Sequence, residues 1–181
     1  MSGVLRALLA PLGACALLAA NPSGAAPPTP EAVRAAYISS DLIVTDRAGR
    51  PLQSVRIDKS RRRLEWVPLE SVSPVLLKAL VAAEDQRFFA HRGIDWSAVA
   101  QAALDNLSRD RPRGASTITM QLAAMLDSDL ALQGRERSAR QKIVQAAAAQ
   151  SLEASWNKSQ VLEAYLNLLV FRGELQGIAA A

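Results

Sequence analysis

The sequence predicts a mainly α-helical domain with one small strand-containing segment near residues 42–57. Half of its 181 residues are hydrophobic but only 4% are aromatic, so the core must be built from Ala, Leu, Val and Ile. Alanine-rich runs poor in β-branched clusters favour helix. From residue 74 onward, apolar residues recur at helical spacing in successive stretches. The length suits one domain. The net charge of +4 and pI of about 9.7 point to an anionic partner: phosphate, a membrane surface or nucleic acid. A single cysteine, Cys15, excludes an internal disulfide. With one histidine besides, a Cys/His zinc site is also excluded.

Residues 1–26 have the pattern of an export segment. Arg6 is the lone early charge, and residues 7–20 are apolar apart from Pro11 and Gly13. That run is short for a membrane span and typical of a signal peptide; an uncleaved anchor and, as a minority reading, a lipoprotein cleavage box at Leu12-Gly13-Ala14-Cys15 are the alternatives. Residues 27–40, with Pro27, Pro28 and Pro30, are expected as an extended linker, and 41–181 as the folded domain. Leu42-Ile43-Val44-Thr45, then Asp46-Arg47-Ala48-Gly49, predict a strand and turn, with residues 51–57 as the partner strand. Arg56, Lys59, Arg61, Arg62 and Arg63 form a basic cluster, read as a solvated face or as one drawn to anionic lipid.

Ser73-Pro74 marks a helix start, and Leu76, Leu80 and Ala83 mark its face. Then comes the stretch around which the chain is organised, Ala83-Glu84-Asp85-Gln86-Arg87-Phe88-Phe89-Ala90-His91-Arg92-Gly93. Glu84 is expected at the end of a buried helix, where partial desolvation would suit a general base. Phe88 and Phe89 would supply a dry wall. His91 lies seven residues on and would share a face with Glu84 if the backbone stayed helical. Gly93 permits a sharp exit. Trp96, Val99, Ala100, Ala103, Leu104 and Leu107 then form a stripe expected to be core.

Residues 108–113, charged and broken by Pro112, are expected as a mobile loop. Arg113-Gly114-Ala115-Ser116-Thr117-Ile118-Thr119-Met120-Gln121-Leu122 reads as a turn on Gly114 and a helix capped by Ser116 or Thr117. Such a helix start, with free N–H groups, hydroxyls and a nearby arginine, can hold phosphate. Arg135, Arg137, Arg140 and Lys142 open a long alanine-rich helix ending near Glu153. Asn157-Lys158-Ser159-Gln160 has the spacing of a capping box, and Leu162, Tyr165, Leu166 and Leu169 form the next apolar face. The final residues turn on Gly173 and Gly177.

Taken in order, these pieces resemble the peptidoglycan glycosyltransferases of family 51. The resemblance rests on five motifs over about residues 40–181. They are Glu84-Asp85 with Phe88, His91 and Gly93; Gly114 through Leu122; a weaker one at Lys142 and Gln145; Lys158 with Val161-Leu162-Glu163-Ala164-Tyr165-Leu166-Asn167; and Arg172-Gly173 through Gly177. Met120, Gln145 and Leu175-Gln176-Gly177 look most like the penicillin-binding protein 1C branch. The resemblance implies a lysozyme-like fold that polymerises lipid II at the outer, periplasmic face of the cytoplasmic membrane. It implies Glu84 as general base. Asp85, Phe88, His91, Arg113, Gly114, Ser116, Thr117, Gln121, Lys142, Gln145 and Asn167 would serve substrate binding, with Arg113 and Lys142 meeting phosphate. It further implies a divalent cation, magnesium or manganese, at the pyrophosphate; no spacing in the sequence demands one. Lipid II, the growing glycan strand, the membrane and other cell-wall synthesis proteins are the implied partners. Export excludes nucleic acid.

Three departures stand out. Ala124 replaces a basic residue common in the family, and Gln141 and Gln145 replace an arginine and a glutamate. The family domain also continues beyond the fifth motif, so the chain is expected to be a fragment or a reduced relative. These departures favour a rival reading, a module that binds lipid II or glycan without polymerising it. A glycan-cleaving enzyme is a second rival, opposed by the Ser116–Gln121 pattern.

Overall fold

The computed structural model describes residues 26–106, 115–127 and 139–181. The export segment, the expected loop at 108–113, and Arg113, Gly114, Arg135 and Arg137 lie outside these residues. The described elements are helix α1 (Pro30–Ala36), strands β1 (Asp41–Thr45) and β2 (Pro51–Arg56), and helices α2 (Pro74–Glu84), α3 (Trp96–Asn106), α4 (Ile118–Leu126), α5 (Ala139–Ser155) and α6 (Lys158–Leu168). Short 3₁₀ turns at Leu69–Ser71 and Phe88–Ala90 flank α2. The domain is mainly α with one two-stranded sheet. No described helix is long and apolar enough to cross a membrane.

The core lies where α4, α5 and α6 pack together. Ile118 and Leu122 of α4, Leu152 of α5, and Val161, Leu162 and Tyr165 of α6 are buried there with Trp156 and Phe88. Each such side chain contributes roughly 1.5–3 kcal/mol by leaving water. The helix signals explain why these residues meet. Asn157 accepts from the Gln160 N–H at 2.9 Å, and the Gln160 side chain accepts from the Asn157 N–H at 2.9 Å, forming the expected capping box of α6. Thr117 caps α4, its hydroxyl accepting from the Met120 N–H at 3.1 Å.

Three expectations need correction. Residues 27–40 are not simply an extended linker. Thr29 caps α1, Pro30 begins it, and Val33 enters the core. The Trp156 indole N–H donates to the Pro28 carbonyl at 2.9 Å, tying this segment to the end of α5. The second correction concerns α2, which is not a buried helix: none of its residues is buried, and only Leu80 and Val81 lean on the core. Pro74 starts it as expected, but the Ser73 side chain makes no capping bond. The third is the α3 stripe. Trp96 and Leu104 are 60% and 68% exposed, and Val99 and Ala100 are also exposed, while Ala102 faces inward. Periodicity reveals that a helix has an apolar side; it does not say which element covers it.

The hairpin is antiparallel, with Asp41 opposite Arg56 and Ile43 opposite Ser54, and its turn uses Gly49 at φ +77°. Its basic end is clamped to the last motif: the two terminal nitrogens of Arg56 each donate to Glu174 at 2.9 Å. Arg62 and Arg63 pair with Asp41 and Asp58 at 3.6 and 3.8 Å, so much of the basic cluster has protein partners.

Candidate active site

Glu84 and Asp85 are neighbours in sequence and point in different directions. Glu84 ends α2; Asp85 follows with φ −159° and ψ 78°, which breaks the helix. Glu84 is left exposed, whereas Asp85 is 7% exposed. The expectation of a Glu84 carboxylate in a dry helix end is therefore corrected. His91 does not share its face either, because the helical backbone stops first. The ring Nε2 of His91 instead lies 2.9 and 3.1 Å from the two oxygens of Asp85.

Asp85 also accepts the Ile118 N–H at 3.1 Å, at the start of α4. Nearby, the Thr117 hydroxyl donates to the Gly93 carbonyl at 2.6 Å. These two crossings bind the Glu84 loop to α4. They also fill part of the helix N-terminus expected to face phosphate: Asp85 takes the Ile118 N–H and Thr117 takes that of Met120. Gly93 has φ +76°, and a Cβ there would lie 2.8 Å from the carbonyl carbon and oxygen of Ala149. The loop thus presses directly on the backbone of α5. Phe88 is fully buried beneath the loop, with Lys158 Nζ 4.2 Å from its ring centroid, and Phe89 is exposed. Phe88 is core rather than the wall of an open site.

A cleft of about 270 Å³ lies beside Glu84, lined also by Arg87, Asp95, Ser97, Gln101 and Ser116. Asp95 caps α3, accepting from the Ser97 hydroxyl at 2.6 Å and from the N–H groups of Ser97 and Ala98 at 3.0 Å each. The Ser97 hydroxyl, against the opposing effect of desolvation, holds the Asp95 carboxyl below the ordinary range; the Ala98 N–H and the Arg87 charge help. The Ser116 hydroxyl is buried and has no hydrogen-bond partner among the described residues. A ligand entering the cleft could complete it.

Asp85, His91 and Asp95 each have a ligand atom within 4.8 Å of the others. Their donor set does not fit a cation well. Asp85 already accepts from His91 and from the Ile118 N–H at the start of α4, and Asp95 Oδ1 from Ser97 and Ala98 at the start of α3, so both carboxylates already serve the fold, and His91 Nε2, the one nitrogen donor of the set, is engaged with Asp85.

Gln121 of α4 stands at the centre of a second chain of contacts. Its amide N–H donates to a Glu84 oxygen at 3.0 Å, and its carbonyl accepts from the Tyr165 hydroxyl at 2.9 Å. The structure thus brings Glu84, Ser116, Thr117 and Gln121 together. Lys142 lies exposed on α5, and Gln145 is buried on the same helix. Asn167 is fully buried and binds the protein itself. It accepts from the Val67 N–H and donates to the carbonyls of Val67 and Glu163, each at 2.8 Å. Sequence reasoning placed Tyr165 on an apolar face and missed its hydroxyl. The available signal was that a buried tyrosine needs a polar partner. Glu153 was also missed; it accepts from the Thr119 hydroxyl and from Lys158 Nζ, the latter at 2.8 Å.

Comparison with known proteins adds an independent finding. A family model described as Transglycosylase matches residues 48–181. The chain is 38% identical over 135 residues to a "Biosynthetic peptidoglycan transglycosylase" of Rhodospirillum centenum, covering 74% of this chain and 56% of that protein. It is 40% identical over 117 residues to the protein of the same name from Aeromonas hydrophila, covering 65% and 48%. Identity to "Penicillin-binding protein 2D" of Bacillus subtilis is 38% over 117 residues, covering 64% and 16%. The chain spans about half the length of the first two relatives.

Proposed function

The chain belongs to the transglycosylase family, and from that premise we propose that it polymerises lipid II into peptidoglycan glycan strands, with Glu84 as general base. The observation that carries the proposal is the placement of Glu84. It stands exposed on the wall of a cleft, held by an amide N–H at 3.0 Å, beside a buried serine hydroxyl that has no hydrogen-bond partner among the described residues. The names of the relatives support the substrate class.

In the proposed step, Glu84 takes the proton of the acceptor sugar's 4-hydroxyl as its oxygen attacks the anomeric carbon of the donor. The new glycosidic bond forms as the bond from that carbon to pyrophosphate breaks. Configuration inverts, and undecaprenyl pyrophosphate leaves with the electron pair. The protein contributes proton acceptance and positioning. Ser116 lies at the cleft, where donor groups would be oriented, while the Thr117 hydroxyl, bonded to Gly93 and Met120, holds the start of α4 in place behind it; exposed Lys142, with Arg113, would meet phosphate. A divalent cation bound with the pyrophosphate would neutralise departing charge; none of the clustered carboxylates is assigned to it. The chemistry sets the location outside the cytoplasm, at the membrane face where the lipid-borne substrate is presented. Other cell-wall synthesis proteins are the partners this placement suggests.

The test is Glu84→Gln in the full-length protein, scored by glycan-strand formation from labelled lipid II. The amide keeps the size but accepts no proton, so polymerisation should fall by about 10²–10⁴-fold with binding retained. Near-normal polymerisation would defeat the assignment. A second reading, a module that binds lipid II or glycan without polymerising it, draws on Ala124 and Gln145. Both are buried, and each stands where the family resemblance leads one to expect a charged residue. Intact binding with no polymerisation by the unaltered full-length protein would favour it.

A further inference from the structure

We propose that Tyr165 is a positioning residue: it orients the Gln121 amide so that its N–H end holds the Glu84 carboxylate. The inference rests on the reading of Glu84 as base. Three helices contribute one group each. Glu84 ends α2, Gln121 lies in α4, and Tyr165 lies in α6 at 1% exposure. The Tyr165 hydroxyl is 2.9 Å from Gln121 Oε1, and Gln121 Nε2 is 3.0 Å from Glu84 Oε2.

The chemistry of the three groups fixes the direction of the chain. An ionised carboxylate only accepts, so it requires the N–H end of the amide. A phenol that keeps its proton can donate to the amide oxygen at the other end. Burial, reinforced by the negative charge of Glu84, pushes the Tyr165 phenol up to about 12, so it remains a donor at neutral pH. With both ends engaged, the amide cannot flip without placing its oxygen against the Glu84 carboxylate. Removing the phenol hydroxyl releases one end and allows that flip. Tyr165 would then act on Glu84 without touching substrate, by holding the base in one orientation before the acceptor hydroxyl arrives.

The experiment uses the full-length protein and its Tyr165→Phe, Gln121→Met and Glu84→Gln variants. The first readout is the Gln121 side-chain amide resonance, identified by its loss in Gln121→Met. Tyr165→Phe should move it, as should Glu84→Gln. The second is polymerisation of labelled lipid II. Tyr165→Phe should lower kcat by about 10- to 100-fold with KM nearly unchanged, as expected for misplacement of a reacting group. Combined with Glu84→Gln, it should add no further loss, because it acts through that residue. If Tyr165→Phe unfolds, Gln121→Met must give a comparable fall in kcat, since it cuts the same chain at its partly buried middle. An unchanged resonance in Tyr165→Phe overturns the proposal even if activity falls, because the effect then bypasses Gln121. Unchanged kcat also overturns it. Normal polymerisation by Glu84→Gln would defeat the base reading alone, and the resonance would still decide whether Tyr165 sets the Gln121 orientation.

Discussion

Replacing Asn167 with alanine separates a structural residue from a substrate contact. The side chain is fully buried and makes three hydrogen bonds of 2.8 Å: one from the Val67 N–H, one to the Val67 carbonyl and one to the Glu163 carbonyl. The Glu163 carbonyl belongs to α6. The two Val67 groups lie in a segment outside regular helix or strand and depend on Asn167 for these partners. An unsatisfied buried polar group costs about 1–3 kcal/mol, and Val67 is only half-buried, so the two together should cost about 2–4 kcal/mol. For a chain of this size, each kcal/mol moves the midpoint by roughly 2–4 °C, giving a fall in Tm of about 4–16 °C. Thermal unfolding followed by circular dichroism measures it, alongside binding of a lipid II analogue. Asn167→Asp, which keeps the acceptor for the Val67 N–H but loses the amide donor, should be destabilised as well. An unchanged Tm with weakened binding would refute the reasoning and return Asn167 to the substrate-binding role that its motif suggests.

Two further outcomes follow from geometry on either side of the site. Gly93→Ala should lose about 2–4 kcal/mol, from a left-handed backbone and a Cβ set 2.8 Å from the Ala149 carbonyl group; unfolding midpoints would show it, and an unaltered midpoint would mean the loop does not rest on α5. The raised Tyr165 phenol predicts alkaline lability: its folded value, about 12, lies above the ordinary 10.0, so its contribution is intact below pH 10 and is lost as pH rises through 12. Tyrosinate absorbance and unfolding should show this lability weakened in Tyr165→Phe, and Glu84→Gln should bring the onset of Tyr165 ionisation to lower pH; a phenol ionising near 10 in the folded protein would contradict its burial.

The elements with local signals were legible in the sequence. The Asn157–Gln160 capping box, the Thr117 cap and the strand–turn–strand pattern each specify nearby backbone, and each formed within a residue or two of its expected place. What covers a helix is a different matter. Leu162, Tyr165 and Leu166 mark a buried face of α6, while the similar spacing of Trp96, Val99 and Leu104 marks an exposed face of α3. Both patterns have the same period. The difference arises from tertiary placement, on which a 3.6-residue repeat carries no information. Likewise, the prolines before residue 31 resemble a linker, although Pro30 simply occupies the first position of α1.

The site shows the same division at finer scale. Glu84 could be singled out from its motif, but the motif's other polar residues divide between the cleft and the protein interior. On an unbroken helix Glu84 and Asp85 would project about 100° apart, leaving Asp85 without the reach that links His91 and the start of α4. Ending the helix at Glu84 gives Asp85 a non-helical backbone and turns it inward. There it accepts from His91 and from the Ile118 N–H. The paired carboxylates are therefore one device with two parts. Asp85 anchors the loop to α4, the helix that carries Gln121. Gln121 in turn reaches back to Glu84, which stays on the open side. Adjacency in sequence reveals the pair; only the break between the two residues turns one into the protein and leaves the other exposed at the cleft.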